Sequence, residues 1–137
     1  MSGDVHRGVG AFEGVRCLLL QGSGEMFCAG GDLATFSACG DQAGSYVKEV
    51  VTYLHEAISV IHRIPIPVVA SVHGAAAGAG LGLACACDIV LAADDARFVM
   101  AYTQTGVTPD GSSTWFLPRI VGLRRALQLT LLNHRLN

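Results

Sequence analysis

Residues Pro67 to Asp88 read PVVASVHGAAAGAGLGLACACD. An apolar run, PVVASV, stops at His73-Gly74, and a small-residue segment with Gly74, Gly78, Gly80 and Gly82 leads into LGLACACD. This order predicts a buried strand, a glycine-rich turn and a helix packed close to whatever lies beneath it. Glycine and alanine put little side chain in the way, so a ligand can approach the main chain. Free N–H groups at a helix start, aided by the helix dipole, would point at an incoming oxygen and favour negative charge developing on a carbonyl. Tight helix packing without any ligand accounts for the same composition equally well.

Working outward, VRCLLLQ (Val15 to Gln21) has the run length of a buried strand and ends at GSGE, a turn signal. FCAGGDLATF follows, with a second small-residue bend at Ala29-Gly30-Gly31 ahead of a helical turn, and Ala38 to Gly44 reads as loop. From Ser45 to Arg63, Val47, Val50, Val51, Leu54, Ile58 and Ile61 recur three and four apart, the stripe of an amphipathic helix. Pro65 and Pro67 end it. His55 and His62 lie on the shoulder of that stripe, where a histidine is commonly a solvated bystander.

Beyond the opening stretch, DIVLAA (Asp88 to Ala93) reads as a second buried strand and Ala96 to Met100 as a short third one. TGVTPDGSS is turn-rich, and its Pro109-Asp110-Gly111 forms a turn on local chemistry alone. Ser112 or Ser113 is placed to cap a helix that Pro118 keeps short or kinked. A further helical pattern covers Arg124 to Leu132.

Composition narrows the class. Of 137 residues, 51% are hydrophobic, 15% are charged and 17 are glycine, which suits one compact α/β domain and excludes a disordered tail. A net charge of −2 and a single lysine, Lys48, argue against a nucleic-acid surface. Cys17, Cys28, Cys39, Cys85 and Cys87 are an odd set in apolar surroundings, better read as reduced core thiols than as a disulfide framework, and their spacing is poor for metal. There is no signal pattern and no apolar run long enough for a bilayer, so a soluble, cytoplasmic protein without membrane partners is expected. GAGLG lacks the closing glycine of a dinucleotide loop, since Leu83 stands there, and no GxSxG elbow occurs.

Taken together, FCAGGDL, VHGAAAGAGLGLACACDIVLAADDARF and GVTPDGSSTWFLPRIVGLRRALQLTLLN resemble the crotonase (enoyl-CoA hydratase/isomerase) superfamily. The likeness covers about Val15 to the C-terminus. It implies a fold of α/β class, a spiral of β-β-α units, here without the usual N-terminal strands and C-terminal helices. Residues 1–14 would be a poorly defined segment and residues 15–137 a partial acyl-CoA-binding core. Family members hold the thioester oxygen with two main-chain N–H groups; by motif these are Gly31 and Ala79. Ala29, Asp32, Leu33, His55, Gly78 and Tyr102 fall at positions implied to touch substrate. Coenzyme A is expected as part of the substrate, with no other cofactor and no metal, and complete relatives form homotrimers.

The departures refine the expected chemistry. The two glutamate positions of family hydratases correspond here to Gly82 and Tyr102, which argues against water addition. Asp110 resembles the acid/base aspartate of the isomerase branch, including the ring-epoxide isomerase of phenylacetyl-CoA breakdown. That branch implies double-bond migration with an oxyanion hole for the thioester enolate. Asp110, His55 and Tyr102 also resemble a nucleophile, a histidine and an aromatic of the 4-chlorobenzoyl-CoA dehalogenase branch. However, Gly31-Asp32 replaces that branch's Phe-Tyr. A non-catalytic acyl-CoA-binding or assembly fragment is the remaining alternative.

Overall fold

Parallel pairing of short strands organises the chain, in a computed structural model that describes residues 14–137. The expectation for the N-terminal segment falls on residues outside that range, apart from Gly14. Strand β1 (Leu18–Gln21) pairs in parallel with β2 (Val68–Val72), and β2 with β4 (Ile89–Ala92). A second parallel pair joins β3 (Ala75–Ala77) to β5 (Arg97–Val99), and Cys28 bridges to Ala76 on the other side of β3. Each pass therefore adds a strand to the first sheet and then helix, while the second sheet receives only the Cys28 bridge from the first pass and one strand from each of the next two. The helices are α1 (Leu33–Ala38) and α2 (Ala43–Arg63) after the first pass, α3 (Ala79–Ala86) after the second, and α4 (Ser113–Val121) with α5 (Leu123–Leu132) after the third. This is the expected spiral of β-β-α units.

Local chemistry accounts for most boundaries. Pro65 and Pro67 follow α2 directly, and the extended conformation of Ile64 (ψ 133°) is what a residue just ahead of the prolines adopts as the helix ends. Asp88 closes the next junction: its Oδ2 accepts the Val68 N–H at 2.8 Å, while its own N–H donates to the Val68 carbonyl at 2.9 Å. That pair of bonds locks the start of β4 beside β2.

Two apolar clusters form the interior. Phe27, Ala70, Val72, Ala76, Ala84 and Ala96 fill the space between the sheets and α3. Leu81, Met100, Leu117, Ala126 and Leu129 pack under α3, α4 and α5. Helix α3 has small residues because it is enclosed: Gly80, Leu81, Gly82, Ala84 and Ala86 are all buried.

Several expectations are corrected. The turn in the opening stretch contains a strand, Ala75–Ala77, which forms because Cys28 and β5 supply hydrogen-bonding partners on both sides. The segment 38–44 is helical, with a 3₁₀ turn at Gly40–Gln42 running into α2. Strand β4 is exposed along its whole length, because it is the outer strand of its sheet among the described residues; Leu91 is 59% exposed. The stripe on α2 buries only Ile58 completely. The cysteines are free thiols, none fully buried, and Cys17 is exposed. Ser112 occupies the N-cap position of α4 without a capping hydrogen bond from its side chain. No described helix is long and apolar enough to cross a membrane.

Candidate active site

The two glycine/alanine corners meet. Cys28 donates to Ala75 O at 3.0 Å and accepts from Ala77 N at 2.9 Å, so the first bend is stitched to β3 just before α3 begins. A Cβ on Gly30 would lie 2.9 Å from Ala77 O and 3.5 Å from the nitrogen of Ala79. A Cβ on Gly80 would overlap the Cys28 carbonyl, so α3 sits directly on the bend. Gly78 makes the corner at φ 52° and ψ −117°, a conformation that L-side chains avoid. Among the described residues, neither the Gly31 nor the Ala79 main-chain N–H finds an acceptor. Ala79, the first residue of α3, keeps its N–H available to a ligand oxygen as helix-start groups do, and Gly31 lies exposed just ahead of the α1 cap.

Asp110 lies one turn along α3 from Ala79. A Cβ on Gly82 would stand 2.7 Å from Gly111 O, which places the Asp110-Gly111 turn against this helix, about 4.5 Å of helical rise from Ala79. The Asp110 carbonyl accepts from Ser113 N at 3.1 Å and Ser113 Oγ at 2.6 Å, so the turn is held without using the carboxylate. Its Oδ1 lies 2.6 Å from Nε2 of His55 on α2, and the two side chains are 32% and 50% exposed.

Tyr102 completes this face. Its ring lies 3.9 Å from a Cβ built on Gly78, and its hydroxyl is buried near the Asp110 main chain without completing a hydrogen bond. Burial first, and the Asp110 charge second, push the phenol up to about 12. At neutral pH it is a donor in search of an acceptor.

The structure thus brings together Asp110, His55, Tyr102, Gly78 and Ala79, with Gly31 reached through Gly30. Ala29 and Leu33 are exposed on the first bend and at the start of α1. Asp32 is occupied locally: its carboxylate caps α1, accepting Thr35 N–H at 3.0 Å and Thr35 Oγ1 at 2.7 Å. Those two bonds hold its carboxyl below the usual value, with the main-chain bond dominant. The folded state therefore gains from this group above the ordinary carboxylate range and loses that gain as pH falls through the depressed value. Between about pH 5 and pH 2, the thermal midpoint of the wild type should fall more steeply than that of Asp32→Ala, measured by circular dichroism. Parallel acid limbs would remove Asp32 from this role.

Sequence reasoning missed the apolar wall. Leu54 and Ile58, four apart on α2, each reach 3.6 Å from a Cβ on Gly111, and the stripe on that helix was the available signal. His62 is not part of the face; its ring packs edge-on against Phe116 at 5.3 Å. A separate apolar cavity of about 180 Å³, lined in part by Leu81, Cys85, Met100 and Leu129, contains none of Gly31, Ala79 or Asp110. Burial lifts the Cys85 thiol there to about 11, which keeps it protonated. Among the described residues, no three His, Cys, Asp or Glu side chains gather as a metal site requires.

Comparison with known proteins places the chain in a family. Residues 12–137 match the enoyl-CoA hydratase/isomerase family. The chain is 42% identical over 126 residues to the 1,2-epoxyphenylacetyl-CoA isomerase of Escherichia coli, covering 90% of this chain and 47% of that protein. It is 37% identical over 125 residues to a 4-chlorobenzoyl coenzyme A dehalogenase of an Arthrobacter species, covering 90% of this chain and 45% of that one. A crystal structure of an enoyl-CoA hydratase from Polaromonas sp. JS666 superposes with a TM-score of 0.83 at 41% identity, over 89% of this chain and 48% of that structure. The chain spans about half the length of the relatives it matches.

Proposed function

This chain belongs to the enoyl-CoA hydratase/isomerase family, and from that premise we propose that it is an acyl-CoA isomerase that moves a double bond, or opens a ring epoxide, next to a thioester. In this reading the Gly31 and Ala79 N–H groups hold the thioester oxygen. Asp110 takes a proton from the α carbon and returns it at the γ carbon. The electron pair left by the proton spreads onto the thioester oxygen, where two aimed donors are worth a few kcal/mol each in comparable sites. Asp110 works in both directions, so a single carboxylate suffices.

One observation carries the choice of isomerase over hydratase. A glutamate at position 82 has no room, because even a Cβ there meets the Gly111 carbonyl at 2.7 Å. The other water-activating position holds Tyr102, whose buried phenol stays protonated. A second reading draws on the 2.6 Å contact between His55 and Asp110. The pair has the make-up of a carboxylate nucleophile with a histidine to activate water, as a dehalogenase-like hydrolase would use. A non-catalytic acyl-CoA-binding chain is the third. The exposed apolar face of β4 gives such a chain, or a homotrimer of the kind proposed for complete relatives, surface to pack on.

A panel of 3-hexenoyl-CoA, crotonyl-CoA and 4-chlorobenzoyl-CoA separates these. The purified chain should convert 3-hexenoyl-CoA to the conjugated 2-enoyl isomer, seen as a rise in ultraviolet absorbance, and should neither hydrate crotonyl-CoA nor release chloride. Chloride release would favour the hydrolase. Binding of all three without turnover would leave the non-catalytic reading.

A further inference from the structure

A proton taken by Asp110 can return to the substrate or leave for solvent, and the Asp110 side chain is itself 32% exposed. One way is back to the substrate, and one is straight into water at the exposed edge of the carboxylate. A third begins at Oδ1, which lies 2.6 Å from His55 Nε2, a distance at which a proton moves readily between the two. The His55 side chain is 50% exposed, so the imidazole links the carboxylate to bulk water. Tyr102, the other ionisable side chain whose hydroxyl faces this turn, is kept protonated at about 12 and does not serve as the acceptor. His55 stands 55 residues from Asp110, on a helix that also places Leu54 and Ile58 against Gly111, so the contact is held by packing on both sides.

From this geometry we infer that His55 is a positioning residue that acts through Asp110 as a proton outlet, letting the abstracted substrate proton exchange with solvent before it is returned. The inference rests on the isomerase reading. Asp110 removes a proton from the α carbon, the C–H electron pair passes into the enolate, and the carboxylate becomes a carboxylic acid. The acid then either protonates the γ carbon or hands the proton to Nε2 of the imidazole in its Nδ1–H tautomer, regenerating the carboxylate and forming imidazolium. The half-exposed imidazolium exchanges its Nε2 proton with water and returns the solvent-derived proton from Nε2 to Oδ1. No oxidant, reductant or added group is needed, and the product is unchanged except in the origin of its hydrogen.

The test is turnover in D₂O, read by mass spectrometry as deuterium incorporated per isomerised 3-hexenoyl-CoA, and in parallel as α-proton exchange in saturated hexanoyl-CoA. Wild type should incorporate solvent deuterium. His55→Phe and His55→Gln should each lower deuterium per turnover about tenfold, below the range of a full acid/base catalyst because the internal path survives. The glutamine keeps a hydrogen-bonding group beside Asp110 but has no basic nitrogen to take up a proton, so it separates the outlet from simple support of the carboxylate. Isomerisation with unchanged incorporation in His55→Gln would overturn the outlet and leave the isomerase reading intact. Hexanoyl-CoA exchange that depends on His55, without isomerisation of 3-hexenoyl-CoA, would keep the outlet and remove the isomerase. Exchange that persists in Asp110→Asn, or absence of both reactions in wild type, would overturn the proposal.

Discussion

Asp110→Asn should lower kcat for 3-enoyl-CoA isomerisation by about 10³-fold or more, toward the upper end of what one acid/base group supplies, because this carboxylate serves both proton transfers. That loss corresponds to about 4 kcal/mol of barrier. The amide has the same shape and still accepts a hydrogen bond at Oδ1, but it is too weak a base to take a carbon-bound proton. Folding should hardly change. The turn is held by the Asp110 carbonyl through Ser113 N and Oγ, which the substitution leaves in place. The contact to His55 loses its charge but is partly exposed on both sides, and such ion pairs contribute at most about 1 kcal/mol. Rates followed by the absorbance of the conjugated product, with thioester affinity measured separately, decide the matter. A variant keeping more than about a tenth of wild-type kcat contradicts the assigned role.

Gly80→Ala should cripple the site from the opposite direction. The added Cβ would overlap the Cys28 carbonyl, and Cys28 cannot simply withdraw, because it is bonded to Ala75 and Ala77 across the bridge. Helix α3 or the first bend must shift. Overpacking of this kind costs about 1–3 kcal/mol, or about 5–15 °C in thermal midpoint for a domain of this size. The shift also moves the Ala79 N–H relative to Gly31, and a misplacement of about 1 Å in such a donor is enough for about a 10²-fold loss of rate. Gly44→Ala is the matched control. Gly44 lies in α2 with nothing within 4 Å of an added Cβ, so the same change there should raise stability by up to about 1 kcal/mol. If Gly80→Ala melts at the wild-type temperature with full activity, the two corners do not depend on that close approach.

Elements whose cause is local were legible in the chain itself. The stripe from Val47 to Ile61, stopped by Pro65 and Pro67, became α2, because spacing sets which face turns inward and the proline ring ends a helix without help. Val68–Val72 was readable as a strand from its run of β-branched residues, and Asp110 as a turn residue from its proline and glycine neighbours. Resemblance, not spacing, supplied the proposed roles of Gly31 and Ala79.

Strand β3 shows where that legibility stops. Ala75–Ala77 carries no side-chain preference for a sheet; it is a strand because Cys28 and β5 arrive beside it. Strand β4 has the composition of a buried strand but lies outermost among the described strands of its sheet, since burial depends on what packs against a residue and not on its own polarity. The contact between His55 and Asp110 joins groups 55 residues apart, which only the packing of α2 on the turn before α4 could bring together. Residue type alone thus determined the long run of α2, the turn before α4 and the carboxylate it carries, since those follow from forces between near neighbours. Which corners meet, which strand is left open among the described residues and which imidazole lies against the carboxylate were decided by contacts between distant parts of the chain, and those exist only once it is folded.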